Sequence, residues 1–371
     1  MKFAIAPADL KEAVRFALTA MASRPTSPIM GGVLLTAFDN DLAASGSDYS
    51  KVSSLSVPAD VTTPGETLLN GQLLGKAVAK FRTSKPVQVS VEGRQAKLSQ
   101  GKVNFSLNVM PAEDYPRDLV GNAKPIGRVS GEAFAHLIRN AGASIARDDT
   151  VEILTNARLE LGQRIEVMST DRYRLSLGEI DWEPAHEMQH SLTVDGDWIR
   201  SVGKTVAGET ELFIGENPKT GEVNRFGITS GAYSTSVSLT AGDYPKIRAL
   251  FKNTERAHVH RFNRQELIEA IDAASVMLDP KVPVLFENVD GRTSISGGGD
   301  QGGSEVSVSS DDSEPFRIGV NPSNILDILR VTDSETISFA PNGPKPIWIA
   351  TEDGETNHLV MPVRLTAANT I

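Results

Sequence analysis

Apolar residues recur along the chain in three copies of one pattern. Ile5, Leu10, Ala13, Val14 and Ala17 are answered by Val129, Phe134, Leu137, Ile138 and Ala141, and again by Phe262, Leu267, Ala270, Ile271 and Ala274. The last four positions of each set are spaced i, i+3, i+4, i+7, which is one stripe of an α-helix, and the first lies just upstream on an extended segment. Each copy therefore opens with a strand and a helix. A second helical stripe follows in each: Leu74, Ala77 and Val78; Ile199, Val202 and Gly203; Ile325, Ile328 and Leu329. Asn70, Asp195 and Asn321 stand just before these stripes, where a short polar side chain can accept from the free amides of a first helical turn.

Elsewhere short runs alternate apolar and polar residues between turn residues, as in Val87 to Val91 and Ala96 to Leu98 around Glu92-Gly93-Arg94. Leu159 to Met168 and Ser304 to Val308 behave alike. Each copy reads as two helices plus roughly eight strands, an α+β domain whose helices cover one face of antiparallel sheet. Two copies also close alike, on Asp114-Tyr115-Pro116 and Asp243-Tyr244-Pro245. Boundaries fall in Gly121 to Pro125 and in the polar stretch Lys252 to Arg256, giving domains at 1–120, 125–252 and 257–371.

The length of 371 residues suits two or three domains, and the repeat selects three. The absence of cysteine excludes disulfides, thiolate metal sites and cysteine nucleophiles. No apolar run is long enough to span a bilayer and Met1 to Leu10 has no signal-peptide pattern, so the expected location is the cytoplasm. Forty-seven acidic residues against 37 basic ones, a net charge of −10, argue against gripping phosphates by global positive charge.

No catalytic constellation assembles. Asp148-Asp149 reads as a solvated turn, since acid–base work needs a positioned pair. His258 and His260 alternate as two residues on one strand face would, but a third metal ligand is missing. His186 and His190 fall in a loop near Pro184. The run Gly297 to Gly303 lacks the Gly-Lys-Ser/Thr ending of a phosphate loop and reads as a mobile hairpin connection. The expectation is a non-enzyme without metal or cofactor.

Three motifs in order, Arg24-Pro25-Thr26-Ser27-Pro28-Ile29, Thr170-Asp171-Arg172-Tyr173-Arg174-Leu175 and Val360-Met361-Pro362-Val363-Arg364-Leu365, resemble those of the bacterial DNA polymerase III β sliding clamp family over essentially the whole chain. Arg172-Tyr173 is similar to the actinobacterial version; the commoner pattern has Gly-His there and an aromatic residue at Asn324. The resemblance implies a head-to-tail homodimer of three-domain subunits, closed into a ring with helices inside and sheets outside. It implies a non-catalytic subunit that encircles duplex DNA and tethers the replicative polymerase. Topological linkage needs no tight phosphate grip, so an acidic chain can serve. Ring opening falls to a separate clamp-loader ATPase.

Sequence-independent DNA contact is expected from Arg24, in a loop resembling one that touches DNA, and from Lys76, Lys80, Arg139, Arg200, Lys204, Arg264 and Arg330 on exposed helix faces. The polymerase and clamp loader would dock short linear peptides in a groove at Leu154, Thr170, Tyr173, Arg174, Leu175, Pro245, Leu250, Asn321, Val360, Met361, Pro362, Val363 and Arg364. Apolar lining suits leucine and phenylalanine side chains, with Arg174 orienting the peptide. Read without the resemblance, Val360 to Leu365 is a final edge strand. Val276 and Met277 resemble the third-domain edge that meets the neighbouring subunit. The alternative function is a clamp-like protein-binding scaffold never loaded on DNA.

Overall fold

The computed structural model describes residues 1–21, 25, 27–82, 85–113, 115, 123–148, 150–279, 282–299, 302–352 and 354–365. The first copy contains β1 (Lys2–Ile5), α1 (Pro7–Leu18), β2 (Gly32–Phe38), β3 (Asp41–Ser47), β4 (Lys51–Pro58), β5 (Asp60–Thr63), β6 (Gly65–Asn70), α2 (Gly71–Val78), β7 (Val87–Glu92), β8 (Gln95–Gln100) and β9 (Val103–Met110). The second contains β10 (Lys124–Ser130), α3 (Gly131–Ala141), β11 (Asn156–Leu161), β12 (Ile165–Thr170), β13 (Arg174–Ile180), β14 (Glu183–Pro184), β15 (His190–Asp195), α4 (Gly196–Val202), β16 (Glu209–Glu216), β17 (Val223–Ser230) and β18 (Tyr233–Ser238). A short helix, α5 (Arg248–Asn253), leads to the third copy: β19 (His260–Asn263), α6 (Arg264–Ser275), β20 (Val284–Val289), β21 (Arg292–Gly299), β22 (Gly302–Ser309), β23 (Phe316–Val320), α7 (Pro322–Val331), β24 (Thr336–Asn342), β25 (Lys345–Thr351) and β26 (Thr356–Val360).

The anticipated stripes are buried, with Leu10, Ala13, Val14 and Ala17 of α1 and Leu74 and Val78 of α2 packed on Val33, Leu35 and Leu42 of the sheet. The anticipated caps form: Asn70 accepts from the Leu73 amide at 3.0 Å, Asp195 from Trp198 at 2.7 Å and Asn321 from Ser323 at 3.0 Å. A further cap, Asn263 on α6, accepts from Glu266 at 3.1 Å.

Two compact units divide the chain, and the middle copy contributes to both. Unit 1 comprises Met1–Glu132, Glu183–His186 and Lys204–Leu239; unit 2 is the remainder. In unit 1 one antiparallel sheet runs β14-β10-β16-β17-β18-β4-β3-β2-β6-β9-β8-β7-β1-β5. Unit 2 holds an eight-stranded sheet, β15-β11-β12-β13-β26-β25-β24-β19, and a four-stranded one, β22-β21-β20-β23.

A single pairing rule joins the copies. The last strand of one copy adds to the third strand of the preceding copy's first meander: β18 pairs with β4, Val237 opposite Lys51, and β26 pairs with β13, Val360 opposite Arg174. Val360 is therefore in a strand paired on both sides, by β13 and β25, and beyond it Val363 bridges Gly319 of β23. The edge strand that Val360 to Leu365 suggests without the resemblance is thus not formed: the strand ends at Val360. The strand is interior because its second partner lies far away in sequence.

The glycine run is the expected hairpin connection, between β21 and β22, with Gly297, Gly298 and Gly299 paired opposite Ser304, Gly303 and Gly302. Its glycines answer to packing. A Cβ on Gly297 would stand 2.1 Å from the Ala274 carbonyl oxygen, and one on Gly46 2.0 Å from that of Ala17. At the matching place in the second copy, the Ser169 hydroxyl donates to the carbonyl of Ala141. In each copy the first helix ends pressed against the sheet.

Candidate functional site

The motif Thr170 to Arg174 forms the turn between β12 and β13. Asp171 Oδ1 accepts the amides of Tyr173 at 3.0 Å and Arg174 at 2.9 Å, while Thr170 Oγ1 donates to the Arg174 carbonyl at 2.9 Å. These side-chain bonds hold Arg172 at φ 78, a left-handed conformation unusual for a non-glycine residue. The turn thrusts Tyr173 outward, 60 % exposed, and its carbonyl accepts the Met361 amide at 2.8 Å. Met361 and Leu250 are also exposed, at 37 % and 48 %, as are Val151, Val276, Met277 and Val289 elsewhere in unit 2.

In the adjoining sheet Met168, Leu175 and Leu359 pack with Ile247 and Phe251, and Leu177 and Trp348 flank this cluster. Helix α5 and its apolar pair are the part of the site that sequence reasoning missed. The i, i+4 spacing of Ile247 and Phe251 was the available signal, masked by Lys246, Arg248 and Lys252 around it. A groove of about 920 Å³ opens beside α5, walled by Arg158, Glu160, Met168, Tyr244, Pro245 and Ile247 among others, and of the expected docking positions only Pro245 lines it.

Of the remaining groove positions, Leu154, Thr170, Leu175 and Val360 are buried, Pro362 and Val363 half-buried, and Pro245, Asn321 and Arg364 exposed. Asn321 Oδ1 is occupied capping α7. Arg174 does not stand free in the groove. Its buried guanidinium donates through Nε to Asp171 at 2.8 Å and through Nη1 to Asp327 at 2.9 Å, tying the turn to α7.

Arg24 lies outside the described residues. Lys76, Lys80 and Lys204 are exposed and carry no ion pair among the described residues. Arg139 pairs with Asp333, Arg200 with Asp197 and Arg330 with Asp272, all at solvent-facing positions. Such pairs contribute only about 0–1 kcal/mol, so a phosphate can replace the carboxylate at little cost. Arg264 differs: it donates to the carbonyls of Ser334 at 2.8 Å and Leu329 at 3.2 Å, closing the end of α7.

Several helix carboxylates are themselves engaged. Glu12 accepts from the Tyr233 hydroxyl, and the Gly208 amide, 2.8 Å from Glu132, holds that carboxyl below its usual pKa. Val276 and Met277 protrude after α6 at 76 % and 37 % exposure, so they are not core, whereas Leu278 packs into it.

Family models for the N-terminal and central domains of the DNA polymerase III beta subunit match residues 1–119 and 128–246. A Micrococcus luteus beta sliding clamp is 31 % identical over 83 % of this chain and 98 % of its own length. The chain belongs to the bacterial β sliding clamp family. A Streptomyces coelicolor beta sliding clamp is 28 % identical over 99 % of this chain and 100 % of its own, against 24 % for that of Bacillus subtilis, in keeping with the actinobacterial character of Arg172-Tyr173. Among solved structures, a Pseudomonas aeruginosa sliding clamp bound to griselimycin superposes with a TM-score of 0.89 at 21 % identity, covering 98 % of this chain and all of its own.

As a sliding clamp the chain is a non-catalytic processivity subunit of DNA polymerase, and of the histidines weighed as ligands His190 begins β15 rather than lying in a loop. His260 begins β19 buried against Phe316, its Nδ1 2.9 Å from Ser310, whereas exposed His258 lies before the strand near Asp312. The two do not share a strand face, because β19 begins only at His260. No group of three or more potential metal-binding side chains occurs among the described residues. No helix among them is long and apolar enough to cross a membrane.

Proposed function

We propose that two copies of this clamp close head to tail around duplex DNA and hold the replicative polymerase and clamp loader through peptides docked beside Tyr173, Leu250 and Met361. The three modules of each subunit are 1–120, 125–252 and 257–371, acting in the cytoplasm with the replication machinery. The observation that carries this reading is the pairing rule. β18 fills the side of β4 and β26 the side of β13, so the counterpart of those receiving strands in the third copy, β22, awaits a donor, and the counterpart donor in the first copy, β9, has no receiver.

Among the described residues β22 pairs only with β21, and β9 pairs with β8 and touches β6 only at Val109 and Met110. Each chain thus carries one free donor and one free receiver on different surfaces, the requirement for a heterologous contact that either closes or polymerises. Val276 takes part by the same equivalence: its counterpart Ala143 packs on the third copy's core within unit 2. Val276 of one subunit accordingly meets α2 of the next, where Leu73 is 53 % exposed.

The DNA contacts assigned to Lys76, Lys80, Arg139, Arg200, Lys204 and Arg330 follow from exposure and exchangeable pairing. Arg264 serves α7 first. Loading the clamp onto circular DNA with a loader and then linearising the DNA tests the proposal. Release on linearisation is expected; retention on linear, unblocked DNA rejects the topological mechanism, and failure to load favours the protein-binding scaffold.

A further inference from the structure

The partner turn has a structural twin in unit 1. Asp48 Oδ1 accepts the Lys51 amide at 2.6 Å as Asp171 accepts that of Arg174, and Ser47 Oγ donates to the Lys51 carbonyl at 3.0 Å as Thr170 does to that of Arg174. Tyr49 has φ 73 where Arg172 has 78. The Ser238 amide donates to the Ser50 carbonyl at 2.8 Å, as Met361 does to that of Tyr173 at 2.8 Å. Turn, strand register and crossing bond are the same in both.

What differs is the surface laid over that scaffold. Unit 2 presents Met168, Leu177, Leu359 and Met361; the equivalent positions in unit 1 are Ser45, Ser54, Ser236 and Ser238. Over two of those serines, Ser236 and Ser238, lies Arg225. Its Nη2 donates to the Tyr49 carbonyl at 2.8 Å and Ser238 Oγ at 2.9 Å, and its Nη1 to the Ser50 carbonyl at 3.1 Å and Ser236 Oγ at 3.2 Å. Arg225 stands opposite Ser238. Extending the register of β25 and β26 by one residue puts Pro346 at its place opposite Met361.

We propose that Arg225 closes the unit 1 twin of the partner groove and so limits each subunit to one peptide-docking site. The guanidinium, itself only 7 % exposed, satisfies two turn carbonyls and two hydroxyls where unit 2 has apolar side chains. An incoming leucine or phenylalanine would have to strip four hydrogen bonds from a cation with no apolar surface in return. This rests on the assignment of the groove at Tyr173 and Met361.

The test is a titration of full-length protein with a fluorescent peptide bearing leucine and phenylalanine. Wild type should bind one peptide per chain and Met361→Ala should lose it; if Met361→Ala binds unchanged, the groove assignment itself fails. Arg225→Met with Ser45→Met, Ser54→Leu, Ser236→Leu and Ser238→Met should raise the stoichiometry to two, the added site surviving Met361→Ala. Persistence of one site, lost with Met361→Ala, in a folded variant overturns the proposal. A reciprocal variant covers the case in which that one unfolds: Pro346→Arg should weaken binding at the groove at least tenfold relative to wild type, and unchanged affinity would also overturn the proposal.

Discussion

Arg174 Nη1 lies 2.9 Å from Asp327 Oδ2, and the same carboxylate oxygen receives Arg147 Nη2 at 3.0 Å. The pair fixes the partner turn to α7. Asp327→Asn leaves a buried guanidinium with Asp171 as its remaining carboxylate, which should cost about 1–3 kcal/mol. Thermal unfolding should show the loss and peptide affinity should fall with it; a stability and affinity equal to wild type would refute the strut role of Arg174.

Gly46→Ala and Gly297→Ala should each destabilise by roughly 3 kcal/mol, because the new methyl meets a helix-end carbonyl that cannot retreat without moving the helix. Ser169→Gly should be milder, losing one hydroxyl bond to Ala141. Denaturant midpoints of the three variants give the order, and a neutral Gly297→Ala contradicts the packing account.

His358 is buried with its Nδ1 2.8 Å from Ser176 Oγ, and burial, aided by Arg174, depresses its pKa from 6.5 to about 3. Between those values the unfolded chain binds a proton that the native state refuses, so this histidine makes stability fall as pH drops below about 6.5. Thr235 fills the same place in unit 1, sharing a 3.0 Å hydrogen bond with Ser53. His358→Thr should therefore narrow its stability gap to wild type as pH is lowered from neutrality to about 4. Parallel melting curves across that range would contradict the assignment.

Val276→Asp with Met277→Glu should convert the dimer to a folded monomer, since both side chains are exposed in the isolated chain and neither supports its core. Sedimentation at micromolar concentration reads the mass, and an intact dimer would move the interface elsewhere.

The two helices of each copy, three of their caps and the tripled order were legible because each is written within a dozen residues: a stripe at i, i+3, i+4, i+7 or an Asn or Asp before it. The joining of β18 to β4 and β26 to β13 was not, since a strand's sequence records which face is buried and not which distant strand lies beside it. For the same reason the two strands beside Val360 and the Asp327 partner of Arg174 were not visible in the sequence. The groove motif was visible as a motif, while its floor of Met168, Leu359, Ile247 and Phe251 needed the fold to gather it.

The offset strand exchange also sets a clock during synthesis. Ser53 and Thr235 are 182 residues apart, as are Ser176 and His358, so each receiving strand is made long before its donor. At roughly 5–20 residues per second a ribosome needs about 9–36 seconds to cover that distance. Throughout that time the nascent chain displays an open strand edge that only a chaperone, or the slow arrival of its own carboxyl-terminal half, can shield.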